Sequence, residues 1–287
     1  MGFIGSHIVE ALLLKGHEVI VLDDKSAPEN SEFYRFQGAK YYEMDICDPL
    51  THDLYKGVDC VFHLAARSRI QPTIDRPDEC FKVNTLGTQS VLEACRKNSV
   101  KKVIYSTSSS CYGLKNKTPF KETADTDCLN PYSLSKHFGE KLCDLYSKLY
   151  GLSCVSLRYF NVYGPREPIV GEYAPVIGLF KRQKQSGKPC TVVGDGMQRR
   201  DFTYVADAVR ANLLCMDSFD SPGHEIFNIG MGKNYSILDI VNLVSGEKVF
   251  IKSRKAEIRE TLADITKAKD LLGWSPIYSL ESMILSY

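Results

Sequence analysis

GFIGSHIVEALLLKGHEVIVLDD, Gly2 to Asp24, is the stretch whose reading decides the fold. A helix opens near Gly5 and carries Ile8, Val9, Leu12 and Leu13 on to Lys15, where Gly16-His17 ends it. Glu18 to Leu22 then reads as a buried strand that stops at Asp23-Asp24. Gly2 to His7 matches the second half of a G-x-x-G-x-x-G turn. Glycines there let backbone N–H groups approach a pyrophosphate at a helix N-terminus. Asp23 lies about 20 residues on, the expected place for an acid that binds ribose hydroxyls. Asp23 and Asp24 would repel a 2′-phosphate, which favours NAD over NADP. Either signal alone suits an ordinary helix start or strand end, but together they predict a dinucleotide site.

Working outward, the same alternation continues. Lys40 to Met44 is a short strand ending at Asp45, and Cys60 to Leu64 is a third, followed by Ala65-Ala66. Residues 84–97 form an amphipathic helix, Val103 to Ser106 a fourth strand, 131–149 a helix and Ser153 to Leu157 a fifth strand. Strand-helix alternation implies a parallel sheet wrapped by helices on both faces. The expected fold class is α/β, a Rossmann-type doubly wound parallel sheet over residues 1–158. Beyond Arg158, Gly, Pro and Tyr become frequent and loops lengthen. This predicts a smaller C-terminal substrate-binding lobe over 159–287, with parts of 200–230 returning to the first domain.

The 287 residues suffice for one large domain or two lobes. The chain is 44% hydrophobic and 25% charged, with mean hydropathy −0.20, the profile of a globular protein. A net charge of +1 points to neither nucleic acid nor a membrane surface. No apolar run reaches the length of a membrane span, and no signal peptide opens the chain. Ten cysteines without a C-x-x-C pair read as free thiols in a reducing cytoplasm. The six histidines show no metal spacing, so no metal site is expected.

Tyr132-Ser133-Leu134-Ser135-Lys136 places a Tyr and a Lys at i, i+4 on one helix face. The ammonium can stabilise the phenolate. A hydroxyl from the run Ser106-Thr107-Ser108-Ser109-Ser110, at a strand end, could hold a substrate alcohol against that phenol. Such a set moves a proton off an alcohol while hydride leaves its carbon.

Seven segments together resemble the extended short-chain dehydrogenases/reductases: Gly2 to His7, His63 to Ala66 (HLAA), Asn84 to Thr88 (NTLGT), Ser106 to Gly113 (STSSSCYG), Pro131 to Lys136 (PYSLSK), Leu157 to Pro165 (LRYFNVYGP) and Arg200 to Asp207 (RDFTYVAD). The nearest subgroup is similar to the NAD-dependent nucleotide-sugar epimerases that act at C4 of UDP-glucose or UDP-N-acetylglucosamine. The resemblance spans nearly the whole chain, in order. It implies a tightly held NAD, a UDP-sugar in the cleft and a homodimer. It makes Tyr132 the base, Lys136 its electrostatic partner and ribose ligand, and Ser108 the hydroxyl on the sugar. It places Gly2, Phe3, Ile4 and Gly5 at the pyrophosphate and Asp23 at the ribose. Asp45 and Ile46 flank the adenine, while Leu64, Ala65, Ala66, Asn84 and Ser106 lie along the cofactor. Asn161 touches the sugar nucleotide. Arg200 and Arg254 grip the substrate pyrophosphate, although the family's R-x-G-[DE] reads Arg254-Lys255-Ala256-Glu257 here. Thr261 then falls at a pocket position where a small residue admits an N-acetyl group.

Ser109 and Ser110 stand where similar dehydratases carry Asp-Glu, so dehydration lacks its acid and base. The expected activity is redox-neutral epimerisation of a nucleotide sugar through a transient 4-keto intermediate. A sibling decarboxylase, dehydratase or reductase is the alternative, as is a non-catalytic homologue. The last arises because the sequence begins inside the phosphate loop, without the family's first strand and first loop glycine. This predicts either an internal Met1 or a degenerate sheet.

Overall fold

The computed structural model describes residues 1–27, 32–168, 174–244, 246–252 and 258–287. The first half runs α1 (Phe3–Leu14), β1 (Val19–Leu22), β2 (Ala39–Tyr42), β3 (Cys60–His63), α2 (Ile70–Asp75), α3 (Pro77–Phe81), α4 (Gly87–Lys97), β4 (Lys102–Ser108), α5 (Pro131–Tyr150) and β5 (Ser153–Tyr159). The second runs β6 (Val162–Tyr163), α6 (Val176–Gln185), β7 (Cys190–Val193), β8 (Arg199–Asp201), β9 (Thr203–Tyr204), α7 (Val205–Met216), β10 (Gly223–Ile229), β11 (Asn234–Ser236), α8 (Ile237–Leu243), β12 (Lys248–Ile251), α9 (Thr266–Leu272) and α10 (Leu280–Met283).

The central sheet has the order β10-β5-β4-β3, every pair parallel. Strand side chains alternate between faces. Val103 and Tyr105 of β4 pack toward α4 and α5, with Val91, Leu92 and Cys143. Ile104 between them packs toward α7 and α9, with Ala208, Ala211 and Leu272. Helices therefore cover both faces, the doubly wound arrangement that the alternation predicted. β10 lies beside β5, so segment 205–229 belongs to this layer.

The sheet is not continuous. β1 and β2 pair in parallel as a separate two-stranded sheet, and among the described residues neither pairs with β3. β1 instead packs on α1 through Val19 and Val21. Past β5 the smaller lobe gathers a second core from Phe180, Cys190, Val192, Ile240 and Val241. It is stitched by short ladders between distant segments: β6 with β9, β8 with β11 and β7 with β12.

Helix α5 is well specified at both ends. Asn130 caps it by accepting from Ser133 N at 2.9 Å, Ser133 returns the bond to Asn130 N, and Pro131 opens the first turn. Gly151 closes it at φ +70°, a left-handed position that glycine occupies without strain.

Candidate active site

A cleft of about 2290 Å³ runs over the carboxyl ends of the parallel strands and on between β1 and β3. Parallel α/β sheets hold ligands at this end. Gly2, Phe3, Ile4 and Gly5 line it at the start of α1. No side chain caps that helix end, and a Cβ on Gly5 would meet nothing within 4 Å. Open space over uncapped N–H donors fits an anionic pyrophosphate. Asp23 lines the cleft at the end of β1. Its Oδ2 accepts from the Met1 amino group at 2.7 Å and its Oδ1 from Lys25 N at 2.8 Å. Asp45 also lines the cleft, with Oδ1 accepting from Cys47 N at 2.9 Å. Ile46, Leu64, Ala65 and Ala66 complete an apolar wall. The residues present therefore fit a dinucleotide.

The catalytic candidates converge. Tyr132 and Lys136 on α5 and Ser106 and Ser108 on β4 all line the cleft. Lys136 Nζ donates to the Ser106 carbonyl at 2.7 Å and lies 5.0 Å from the centre of the Tyr105 ring. Burial pushes its ammonium down to about 8. Burial pushes the Tyr132 phenol up. The Ser108 hydroxyl and the Arg69 guanidinium oppose that shift. Arg69, in the loop after β3, also lines the cleft, while Lys136 is held on Ser106. Ser106 Oγ itself bonds Tyr159 Oη at 3.1 Å. Ser108 caps a short turn by accepting from Ser110 N at 3.2 Å. Ser109 and Ser110 line the cleft too, and no carboxylate from segment 106–136 does.

Asn84 departs from expectation. It is buried and does not line the cleft. Its Oδ1 accepts from Arg67 N at 2.7 Å, and its Nδ2 donates to Arg67 O at 3.0 Å and Ser135 Oγ at 2.9 Å. The amide is spent clamping the loop after β3 onto α5, so Asn84 supports the cofactor wall from behind.

At the far end, Asn161, Arg200 and Thr261 line the cleft. Asn161 Nδ2 donates to Asp201 O at 2.7 Å, and Arg200 Nη1 donates to Arg199 O at 2.9 Å. Thr261 is 6% exposed, with its hydroxyl accepting from Asp201 N at 3.3 Å. Arg254 lies outside the described residues. Two groups escaped the sequence reading. One is Arg69, three residues past the quoted His63 to Ala66. The other is a buried Glu140–Arg158 pair, Nη2 to Oε2 at 2.7 Å. The i+4 step from Lys136 to Glu140 was a visible signal for the second.

Residues 1–230 match the model of the NAD dependent epimerase/dehydratase family. The chain superimposes on the UDP-glucose 4-epimerase of Thermotoga maritima, solved with UDP-glucose, with a TM-score of 0.92 and 36% identity over 99% of this chain and 93% of that one. A UDP-glucuronic acid 4-epimerase from Bacillus cereus, solved with UDP-glucuronic acid and NAD, gives 0.89 and 32%, covering 99% and 94%. The UDP-N-acetyl-alpha-D-glucosaminuronate decarboxylase of Bacillus cytotoxicus is 35% identical over 98% of this chain and 92% of its own length.

Proposed function

The chain belongs to the NAD-dependent epimerase/dehydratase family, and from that premise we propose that it inverts C4 of a UDP-hexose or UDP-N-acetylhexosamine through a transient 4-keto sugar. The observation that carries this reading is the meeting of Tyr132, Ser108 and Lys136 in a cleft to which segment 106–136 contributes no carboxylate. Bound along that cleft, NAD supplies the hydride acceptor and donor. The chain's own residues handle the proton. Ser108 holds the sugar hydroxyl against Tyr132, and Tyr132 takes its proton and later returns one. Lys136 and Arg69 favour the phenolate. Gly2 to Gly5 hold the dinucleotide pyrophosphate. Asp23 holds the ribose hydroxyls. Asn161 and Arg200, with Arg254, hold the sugar nucleotide. Without an acid–base carboxylate pair, elimination of water has no machinery.

One observation favours a second reading, a UDP-hexuronate substrate: Arg69 lines the same cleft as Tyr132 and Ser108, and a cation there suits a sugar carboxylate. Incubation with UDP-glucose, UDP-N-acetylglucosamine and UDP-glucuronate, followed by NMR, tests both. The C4 epimer of a neutral sugar supports the first reading. Inversion of the uronate alone supports the second, and release of carbon dioxide overturns both.

The assembly is a homodimer in this reading. Leu134, Phe138, Leu145 and Leu149 lie along one face of α5 and are 36–62% exposed. An exposed apolar stripe with Lys141 set within it suits pairing with a second copy about a two-fold axis. Light scattering should give twice the chain mass. All ten cysteines are free, which supports a cytoplasmic setting.

A further inference from the structure

Glu140 is a buried, charged residue on the catalytic helix that the proton chemistry does not use. It follows Lys136 at one further i+4 step, as Lys136 follows Tyr132, on the same face of α5. Its Oε1 accepts from Thr107 Oγ1 at 2.9 Å and Arg158 Nε at 2.9 Å. Its Oε2 accepts from Arg158 Nη2 at 2.7 Å and bonds His137 Nδ1 at 3.2 Å. Burial alone would raise this carboxyl, but the Arg158 hydrogen bonds override it and hold Glu140 at about 2.

The donors occupy one row of the sheet. Thr107 on β4 is the register partner of Arg158 on β5, and Arg158 is the register partner of Asn228 on β10. Arg158 Nη1 donates to Tyr112 Oη at 2.9 Å, and that hydroxyl donates to Asn228 Oδ1 at 2.6 Å. The row crosses the sheet just beneath the site. Thr107 stands between Ser106, whose carbonyl holds Lys136, and Ser108, which lines the cleft with Tyr132. Four helical residues rise roughly 6 Å, and two strand residues roughly 6.6 Å. Tyr132 and Lys136 therefore match Ser108 and Ser106 only while helix and strand keep one relative position.

We propose that Glu140 is a positioning residue for epimerisation: by gripping Thr107 and Arg158 together it locks α5 onto the end of β4 and so sets the Tyr132–Ser108 and Lys136–Ser106 distances. It touches neither sugar nor cofactor. It acts through the strand segment that carries the serine, and Arg158 and Thr107 are its two handles.

The inference rests on the assignment of Tyr132 and Ser108 to catalysis, so the test reads Tyr132→Phe beside it. Thr107→Val keeps shape and removes the hydroxyl, and Thr107→Ser restores it. Glu140→Gln keeps shape and removes the charge. Thr107→Val should lower kcat roughly 10- to 100-fold, the scale on which small misplacements act. KM should stay within about twofold and the alkaline limb of the kcat–pH profile should shift, while Thr107→Ser recovers wild-type rates. Glu140→Gln should show the same split of kcat from KM with NAD still bound. If Thr107→Val keeps wild-type kcat and pH profile, or if Glu140→Gln loses only melting temperature, the positioning role is wrong. If Tyr132→Phe is fully active, the assignment beneath it fails instead.

Discussion

Burial drives Tyr132 and Lys136 in opposite directions, the phenol up and the ammonium down to about 8. Replacing Tyr132 by Phe keeps the ring and removes the proton acceptor, so kcat should fall ~10²–10⁴-fold while NAD still titrates the protein. Lys136 makes activity and stability diverge with pH. Below about 8 the buried ammonium persists, supports the phenolate and costs stability. Between about 8 and the ordinary lysine value of 10.5 the folded lysine is neutral while the unfolded one keeps its proton. Stability from this group therefore rises with pH across that window as turnover falls. Lys136→Met should abolish the rise, seen as melting curves that no longer diverge above pH 8. At Thr261, a tyrosine would fill the buried, cleft-lining position and should suppress N-acetylated substrates selectively; equal loss with both sugar classes would refute that placement. Tyr132, Ser108 and Lys136 were legible because each sits at a fixed offset on one helix or one strand end. Asn84 was not, because it bonds the Arg67 backbone as well as the Ser135 hydroxyl, and the loop path that brings Arg67 there is not encoded in sequence spacing. Glu140 and Arg158 lie 18 residues apart and meet only once α5 packs back on β5.

Among the elements, α5 and β4 are the pair on which geometry depends most. Gly139 makes their approach close: a Cβ there would lie 2.2 Å from Tyr105 Oη and 2.4 Å from its Cζ. Tyr105 is fully buried on β4, and its hydroxyl donates to Lys136 O at 3.3 Å. The ring has no room to retreat, so Gly139→Ala must push the helix outward. A loss of roughly 1–3 kcal/mol is expected, together with a kcat deficit from the displaced Tyr132. Denaturant melts beside kinetics would check it, and an unchanged protein would show that α5 yields without cost. The main strands and helices of the first half were readable from alternating periodicity, although β4 runs two residues past its predicted end, to Ser108. In the second half only the return of 200–230 to the first domain was readable in outline, and the rest only in texture. Apart from β10, which joins the central sheet, its ladders are two to four residues long and pair segments far apart, such as Lys248–Ile251 with Cys190–Val193. So short a strand carries too few alternations to announce itself.

Across the whole molecule, the expected gap in the sheet is present as two parallel sheets facing each other across the cleft, with β1 and β3 lining opposite walls. Each presents a row of backbone donors and acceptors that, among the described residues, has no strand partner. An apolar strand fused ahead of Met1, long enough to pair with both, should raise the melting temperature and the NAD occupancy of the purified protein; no change in either would mean the slot cannot accept a strand. The same rows make each molecule a template for its neighbours. Strand edges recruit whatever extended chain is nearest, and at high concentration that is another copy's β1 or β3. The 287-residue chain expressed from Met1 should therefore form thioflavin-positive aggregates with a concentration-dependent lag, and the strand-fused chain should remain clear.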